Sequence, residues 1–232
     1  RTVNLDEINM SLSIGNNKEE PLNLTIPLLW TGNNAPTYSI WGINEKSPTN
    51  LDSANMAIID LSTNEINRRL DMKRPTDLAF TVELIRQSTS KRIPIMIKLK
   101  AGDVENDLSI ITKSGADGVI LTNGEMPIEA AITAARPHKD NLTILATCKE
   151  LDCRFAAKII ALGASGLFLD SECQNAKLKT FGSDLAKTIG SLGVGNMNDL
   201  SSDNLRTTDQ NTAAMTGVAI AGYDSVLPMW RH

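Results

Sequence analysis

Ser114-Gly115-Ala116-Asp117-Gly118-Val119-Ile120-Leu121 and Leu162-Gly163-Ala164-Ser165-Gly166-Leu167-Phe168-Leu169 are nearly the same phrase written twice. In each, a helical segment ends on a glycine suited to a left-handed C-terminus, and a short apolar run follows within about three residues. Two more runs of this kind, Ile93 to Leu99 and Leu142 to Ala146, start at the same spacing of about 24 residues. Helical periodicity fills the gaps. Val104 to Ser114 places Leu108 and Ile111 on one face. Pro127 to Arg136 opens with a proline at a helix start, and Cys153 to Leu162 carries Phe155, Ile159, Ile160 and Leu162. Strand, helix, strand at this period predicts a parallel β/α array.

Upstream the rhythm is weaker. Leu24 to Trp30 reads as a strand interrupted by Pro27, and Met56 to Leu61 as another. Thr76 to Gln87 repeats Leu78, Val82 and Ile85 at helical spacing. Arg1 to Leu22 is polar and reads as a segment that caps or wraps the domain, while Asn33 to Ser53 reads mostly as loop. Downstream, helices are expected from Ser183 to Leu192 and over Asp199 to Thr216, ending at Gly217. The expected organisation is an N-terminal polar extension over 1–22 and one β/α domain over 23–232. Six strands are legible. A TIM-type (β/α)8 barrel takes about 250 residues and at least about 200. With 232 residues the expected fold is α/β, a compact or incomplete barrel, provided that two strands lie within the irregular first half. An open doubly wound sheet is the competitor.

Composition narrows the function classes. Apolar residues make up 41% and charged residues 22%, which excludes collagen, coiled coil and a wholly disordered chain. No apolar stretch approaches the length of a membrane span. Aromatics are only 4%, the net charge is −4 and no basic block stands out, so nucleic acid is not an expected partner. Three cysteines, Cys148, Cys153 and Cys173, read as reduced thiols in a cytoplasmic protein. No charged-then-apolar leader follows Arg1, so no signal peptide is expected. Asn23-Leu24-Thr25 and Asn141-Leu142-Thr143 match the glycosylation pattern but run into predicted strands, and both read as chance.

Ile95-Met96-Ile97-Lys98-Leu99, an acidic helix, Gly115 to Leu121, and then Ala157-Lys158-Ile159-Ile160-Ala161-Leu162-Gly163-Ala164 follow one another in an order that resembles a known family. It is the FMN-binding β/α barrel of glutamate synthase and its stand-alone archaeal relatives. Pro21 to Pro27, Asp77 to Pro94, and Asp203 to Arg206 with Met215 to Tyr223 are similar to further segments of that barrel, so the likeness runs from about residue 20 to 223. It implies a flavin oxidoreductase that uses FMN and forms glutamate by reducing an iminoglutarate. It implies Lys98 beside the flavin ring, with Asn123, Gly124, Thr147, Cys148, Asp170 and Ser171 toward the cofactor. No amidotransferase nucleophile or iron–sulfur cysteine set is present, so a partner subunit or an external electron donor is implied; a homo-oligomer is left open. The family's glycine runs are replaced by Asn123-Gly124-Glu125 and Thr147-Cys148-Lys149, and its third phosphate segment by Asp170-Ser171-Glu172. A barrel that has lost flavin and serves as a scaffold or regulatory subunit is therefore the alternative, and a barrel binding another small ligand at the same mouth is the third.

Read residue by residue, Lys98 ends a central strand, where barrel ligands bind. Its bland reading is a solvated lysine paired with an acid such as Asp117. Asp60, Asn123, Thr147 and Asp170 also end predicted strands and would share that mouth. Asp103 and Asp152 read as helix N-caps. Cys148 and Cys153 are spaced C-x4-C, but neither Cys173 nor His138 and His232 completes a metal pattern, so no metal is expected. Lys149 beside Cys148 would lower that thiol's pKa. Gly193-Val194-Gly195 lacks the strand-turn-helix setting of a dinucleotide site.

Overall fold

The computed structural model describes residues 9–14, 22–31, 38–42, 56–62, 75–89, 93–172 and 175–223, with side chains for 56–62, 78–89, 93–169, 177–178 and 180–223. It contains the strands β1 (Asn9–Ile14), β2 (Leu22–Thr31), β3 (Tyr38–Gly42), β4 (Met56–Asp60), β5 (Ile95–Lys100), β6 (Gly118–Thr122), β7 (Thr143–Cys148) and β8 (Gly166–Glu172). The helices are α1 (Pro75–Ser88), α2 (Val104–Ser114), α3 (Ile128–Ala135), α4 (Cys153–Leu162), α5 (Asn175–Ser191) and α6 (Gln210–Thr216).

The strands hydrogen-bond in the order β1-β2-β8-β7-β6-β5-β4-β3. All neighbours are parallel except β1 and β2. Placing the early strand β2 beside the last strand β8 is the order of a (β/α) barrel. Among the described residues no ladder joins β2 to β3, which fits a compact or incomplete barrel.

Which face the helices cover separates a barrel from a doubly wound sheet. Ile95, Ile97 and Leu99, with Val119, Leu121, Ile144 and Ala146, share one buried cluster with residues of the helices. The alternate positions Met56, Ile58, Met96, Ile120, Leu145 and Phe168 form a second buried cluster that contains strand residues alone. Helices thus pack on one face and strand side chains fill the other, as in a barrel lumen. The Lys98 ammonium of β5 lies 5.3 Å from the ring centroid of Phe168 on β8. On a flat sheet those strands would be three spacings, about 14 Å, apart. The contact requires the sheet to curl.

Two strands do lie in the irregular first half. Tyr38–Gly42, expected as loop, is a five-residue parallel strand on β4. It is too short, and too closely flanked by Asn, Pro and Ser, to show a period. Asn9–Ile14, within the segment expected to wrap the domain, is an antiparallel edge strand on β2. Pro27 stands where β2 changes partners: residues up to Pro27 pair with β1, and residues from Leu28 pair with β8. A residue without an N–H fits that hand-over.

The helix ends are informative. Gly115 (φ 80°) is left-handed as expected, and Gly163 also has positive φ (123°). Asp152 caps α4, accepting from the Arg154 N–H at 2.8 Å. Asp103 stands at the start of α2 but makes no side-chain cap, because its backbone (φ −80°, ψ 68°) is not in the extended geometry that turns a side chain back onto the helix. The helix expected at Ser183 begins earlier, at Asn175. The region expected as helix from Asp199 is two 3-10 turns (Met197–Asp199, Ser202–Asn204) followed by α6, which Asp209 caps and Gly217 (φ 68°) ends.

Lys158 on α4 donates to Glu129 on α3 at 2.5 Å. Burial alone would raise the Glu129 pKa, but the hydrogen bond and charge of Lys158 hold it below the ordinary carboxylate value. A folded-state pKa below the unfolded one contributes stability that is present above the unfolded pKa and lost as pH falls through the folded one. The pair is partly exposed, so we expect Glu129→Gln to lose about 0.5–1 kcal/mol at neutral pH. Urea unfolding should show that loss shrinking below about pH 4. Equal stability at neutral pH would contradict it.

Candidate active site at the barrel mouth

The carboxyl ends of the parallel strands carry the polar lumen residues. The register sets Asp60, Lys98, Ile120, Leu145 and Gly166 in one row across β4 to β8. Lys98 and Thr147 are thus the first polar positions above the apolar lumen plug on their strands. Lys98 is nearly buried, its side chain 12% exposed. Its Nζ stands 3.5 Å from Asp60 Oδ2 and faces the Phe168 ring. Asp60 is fixed in turn: its Oδ1 accepts from the Ser62 N–H at 2.8 Å and from Ser62 Oγ at 2.6 Å. A cation is therefore held in the lumen by a carboxylate on one side and an aromatic face on the other.

Thr147 lies opposite Phe168 in the β7–β8 register. Its Oγ1 is buried and has no hydrogen-bond partner among the described residues. Such an atom costs free energy unless something completes it. Asp170 and Ser171 sit at the top of β8, where the β2–β8 ladder steps from Trp30↔Leu169 to Thr31↔Glu172. The ladder skips both residues, a bulge at the rim of the mouth; their side chains lie outside the described residues.

The other expected site residues are placed differently. Asn123 and Gly124 form the exposed loop after β6. That loop folds onto the one after β5: the Ala101 N–H donates to Thr122 O at 2.9 Å, and the Met126 N–H to Ala101 O at 3.2 Å. A Cβ on Gly124 would collide with the Ala101 carbonyl oxygen. The glycine serves this close approach. Cys148 belongs to the cluster on the helix side of the sheet, so its thiol does not share the lumen with Lys98. Asp117 does not pair with Lys98. It lies at the opposite end of the strands, where its Oδ2 accepts from the Arg86 Nη2 and Ile95 N–H groups, each at 2.9 Å. It precedes β6 rather than ending a strand, which the Gly115-Ala116-Asp117-Gly118 phrase already showed.

Cys153 donates weakly to Phe181 O at 3.6 Å, and burial with the Asp184 and Asp152 charges pushes its thiol pKa up. Among the described residues no group of three His, Cys, Asp or Glu side chains could hold a metal. His138 is in the turn before β7, at the end away from the mouth, and Cys173 and His232 lie outside the described residues. No described helix is long and apolar enough to cross a membrane. Two partners of the site escaped sequence reasoning: Phe168 and Ser62. The period-2 parity of Phe168 with Asp170 could have placed that ring in the lumen.

No protein-family model matches the chain, and no curated protein matches it. Among solved structures it is similar to DHODH from Eimeria tenella in complex with ferulenol (TM-score 0.48, 14% identity, 64% of this chain and 54% of that one). It is similar to a mandelate oxidase variant with 2-hydroxy-phenylacetamide (0.46, 12%, 63% and 53%). It is also similar to the flavin-binding domain of baker's yeast flavocytochrome b2 (0.48, 13%, 99% and 79%). The chain spans about half the length of the first two. Likeness at this level says nothing of activity.

Proposed function

We propose that the chain is a flavin-dependent oxidoreductase barrel that takes FMN at this mouth. The observation that carries the reading is the caged Lys98 ammonium, set in the lumen where the resemblance to the glutamate synthase barrel puts a lysine beside the flavin. The donor set fits the polar edge of a flavin ring: a fixed cation at Lys98 Nζ and, two strands away on β7, the Oγ1 of Thr147, buried and without a hydrogen-bond partner among the described residues. The Asp170–Ser171 segment, skipped by the β2–β8 ladder at the rim of the mouth, is where the phosphate would lie.

When bound, the flavin supplies two-electron hydride exchange. This chain's residues do the rest. Lys98 places a positive charge against negative charge developing at the ring edge. Asp60, itself held by Ser62, keeps that ammonium from swinging into solvent. Phe168 and the lumen plug beneath it exclude water from the buried side. The finer reading, reduction of an iminoglutarate to glutamate with ammonia or electrons from a partner, rests on the sequence resemblance alone.

The second reading, a flavin-free scaffold, is favoured by one observation: Gly124 is consumed by packing on Ala101 rather than left open as an anion cradle. Spectroscopy separates the two. The purified full chain should absorb near ~450 nm, or gain that band after incubation with FMN. Lys98→Ala should then weaken FMN binding or shift its reduction potential. A colourless protein that takes up no FMN would overturn the flavin reading and leave the scaffold.

A further inference from the structure

On the helix side of the barrel, away from the mouth, a cleft of about 350 Å3 opens between α3, α4 and the segment from Leu205 to Val218. None of the mouth residues lines it. Its volume is at the lower end of the range for small-molecule sites. Its floor is apolar, with Ala130, Leu162, Met215 and Val218, and Met215 is 46% exposed.

Three charges stand on the walls: Glu129, Lys158 and Arg206. Two are already matched. Lys158 donates to Glu129 at 2.5 Å and lies 5.4 Å from the Phe155 ring centroid. Arg206 is different. Its Nη1 donates to the backbone carbonyls of Asp203 at 2.8 Å and Leu205 at 2.6 Å. These are its hydrogen bonds among the described residues, and it has no carboxylate partner there. Both bonds run through Nη1, and Nε and Nη2 make no hydrogen bond among the described residues, so the Nε–Nη2 edge can take a second group. That edge is a fork suited to two acceptor oxygens in one plane.

We propose that this cleft binds a small organic monocarboxylate. Its two oxygens would lie on the Nε–Nη2 edge of Arg206, and its apolar body on the Ala130–Met215 floor. The wall charges sum to +1, so a monoanion balances the site. A phosphate dianion would overshoot it and face Glu129, which Lys158 keeps ionised. The site is independent of the flavin reading, since it shares no residue with the mouth.

The test is a titration of the full chain with 3-phenylpropionate, followed by amide NMR shifts and by calorimetry. Parallel titrations use 3-phenylpropanamide, acetate and inorganic phosphate. The carboxylate should bind saturably and shift amides of α3, α4 and residues 205–218. Amide and acetate should each bind at least about ten-fold more weakly, since one loses the charged fork and the other the apolar body. Arg206 is exposed, so Arg206→Gln should fold normally, as its thermal unfolding will report, and bind about ten-fold or more weakly. Arg206→Lys keeps the charge without the fork and should recover only part of the loss. No saturable binding, equal binding of the amide, tighter binding of phosphate, or an unaffected Arg206→Gln would each overturn the proposal.

Discussion

Replacing Phe168 by alanine should cost the fold about 3–5 kcal/mol, the range for truncating a fully buried aromatic. Phe168 is 1% exposed and is the largest side chain of the lumen cluster. Its neighbours there, Met56, Ile58, Met96, Ile120 and Leu145, come from four other strands and cannot all close on the hole. The truncation also removes the ring face beneath Lys98 Nζ. Chemical denaturation should show a large fall in midpoint with little change in slope. Phe168→Leu restores most of the volume but not the ring. It should regain most of the stability while leaving Lys98 without its aromatic partner. A loss below about 1 kcal/mol in the alanine variant would mean that the lumen is not packed around this residue.

Asp117→Ala should be the next most damaging change, at about 2–4 kcal/mol, although Asp117 is far from the mouth. One carboxylate oxygen serves two donors from two elements, Arg86 on α1 and the first N–H of β5. The two side chains are 11% and 18% exposed, so removing the acid strands a nearly buried guanidinium and a backbone donor together. Arg86 would keep the Gly115 carbonyl, which accepts from its Nη2 at 2.7 Å, but its buried Nη1 has no partner among the described residues. For a chain of this size the melting temperature should drop by about 5–12 °C. Asp117→Asn can still accept from Ile95 and should fall between. A melting temperature within about 1 °C of wild type would contradict this role.

The β5-to-β8 half of the fold was legible because its units alternate a helix with a buried stripe and a strand buried on both faces, and two of the helices, those before β6 and β8, end on a glycine of positive φ. Tyr38–Gly42 is too short to show a period; Asn9–Ile14 does alternate, with Met10, Leu12 and Ile14 between polar residues, but it stands alone in a polar segment with no helical pattern beside it to mark a β/α unit. The mouth was half legible. Lys98, Asp60 and Thr147 follow from their places at strand ends and from strand parity. Phe168 as the partner of Lys98 does not, because that contact depends on curvature, and curvature leaves no trace in a local window. Cys148 and Gly124 were drawn toward the cofactor by position in the chain. Parity turns the thiol to the helix side, and a backbone contact uses the glycine. The carboxylate cleft was invisible for a related reason: Glu129, Lys158 and Arg206 meet only after three separate elements have packed.

The most direct test of the mouth is a fluorescence titration of FMN with the purified full chain, run beside Lys98→Ala and Asp60→Asn. The flavin reading predicts saturable one-site quenching by the wild type. It predicts weaker binding by Asp60→Asn, where the ammonium loses its anchor, and the weakest by Lys98→Ala. Absence of saturable quenching, or binding indifferent to both substitutions, would contradict it.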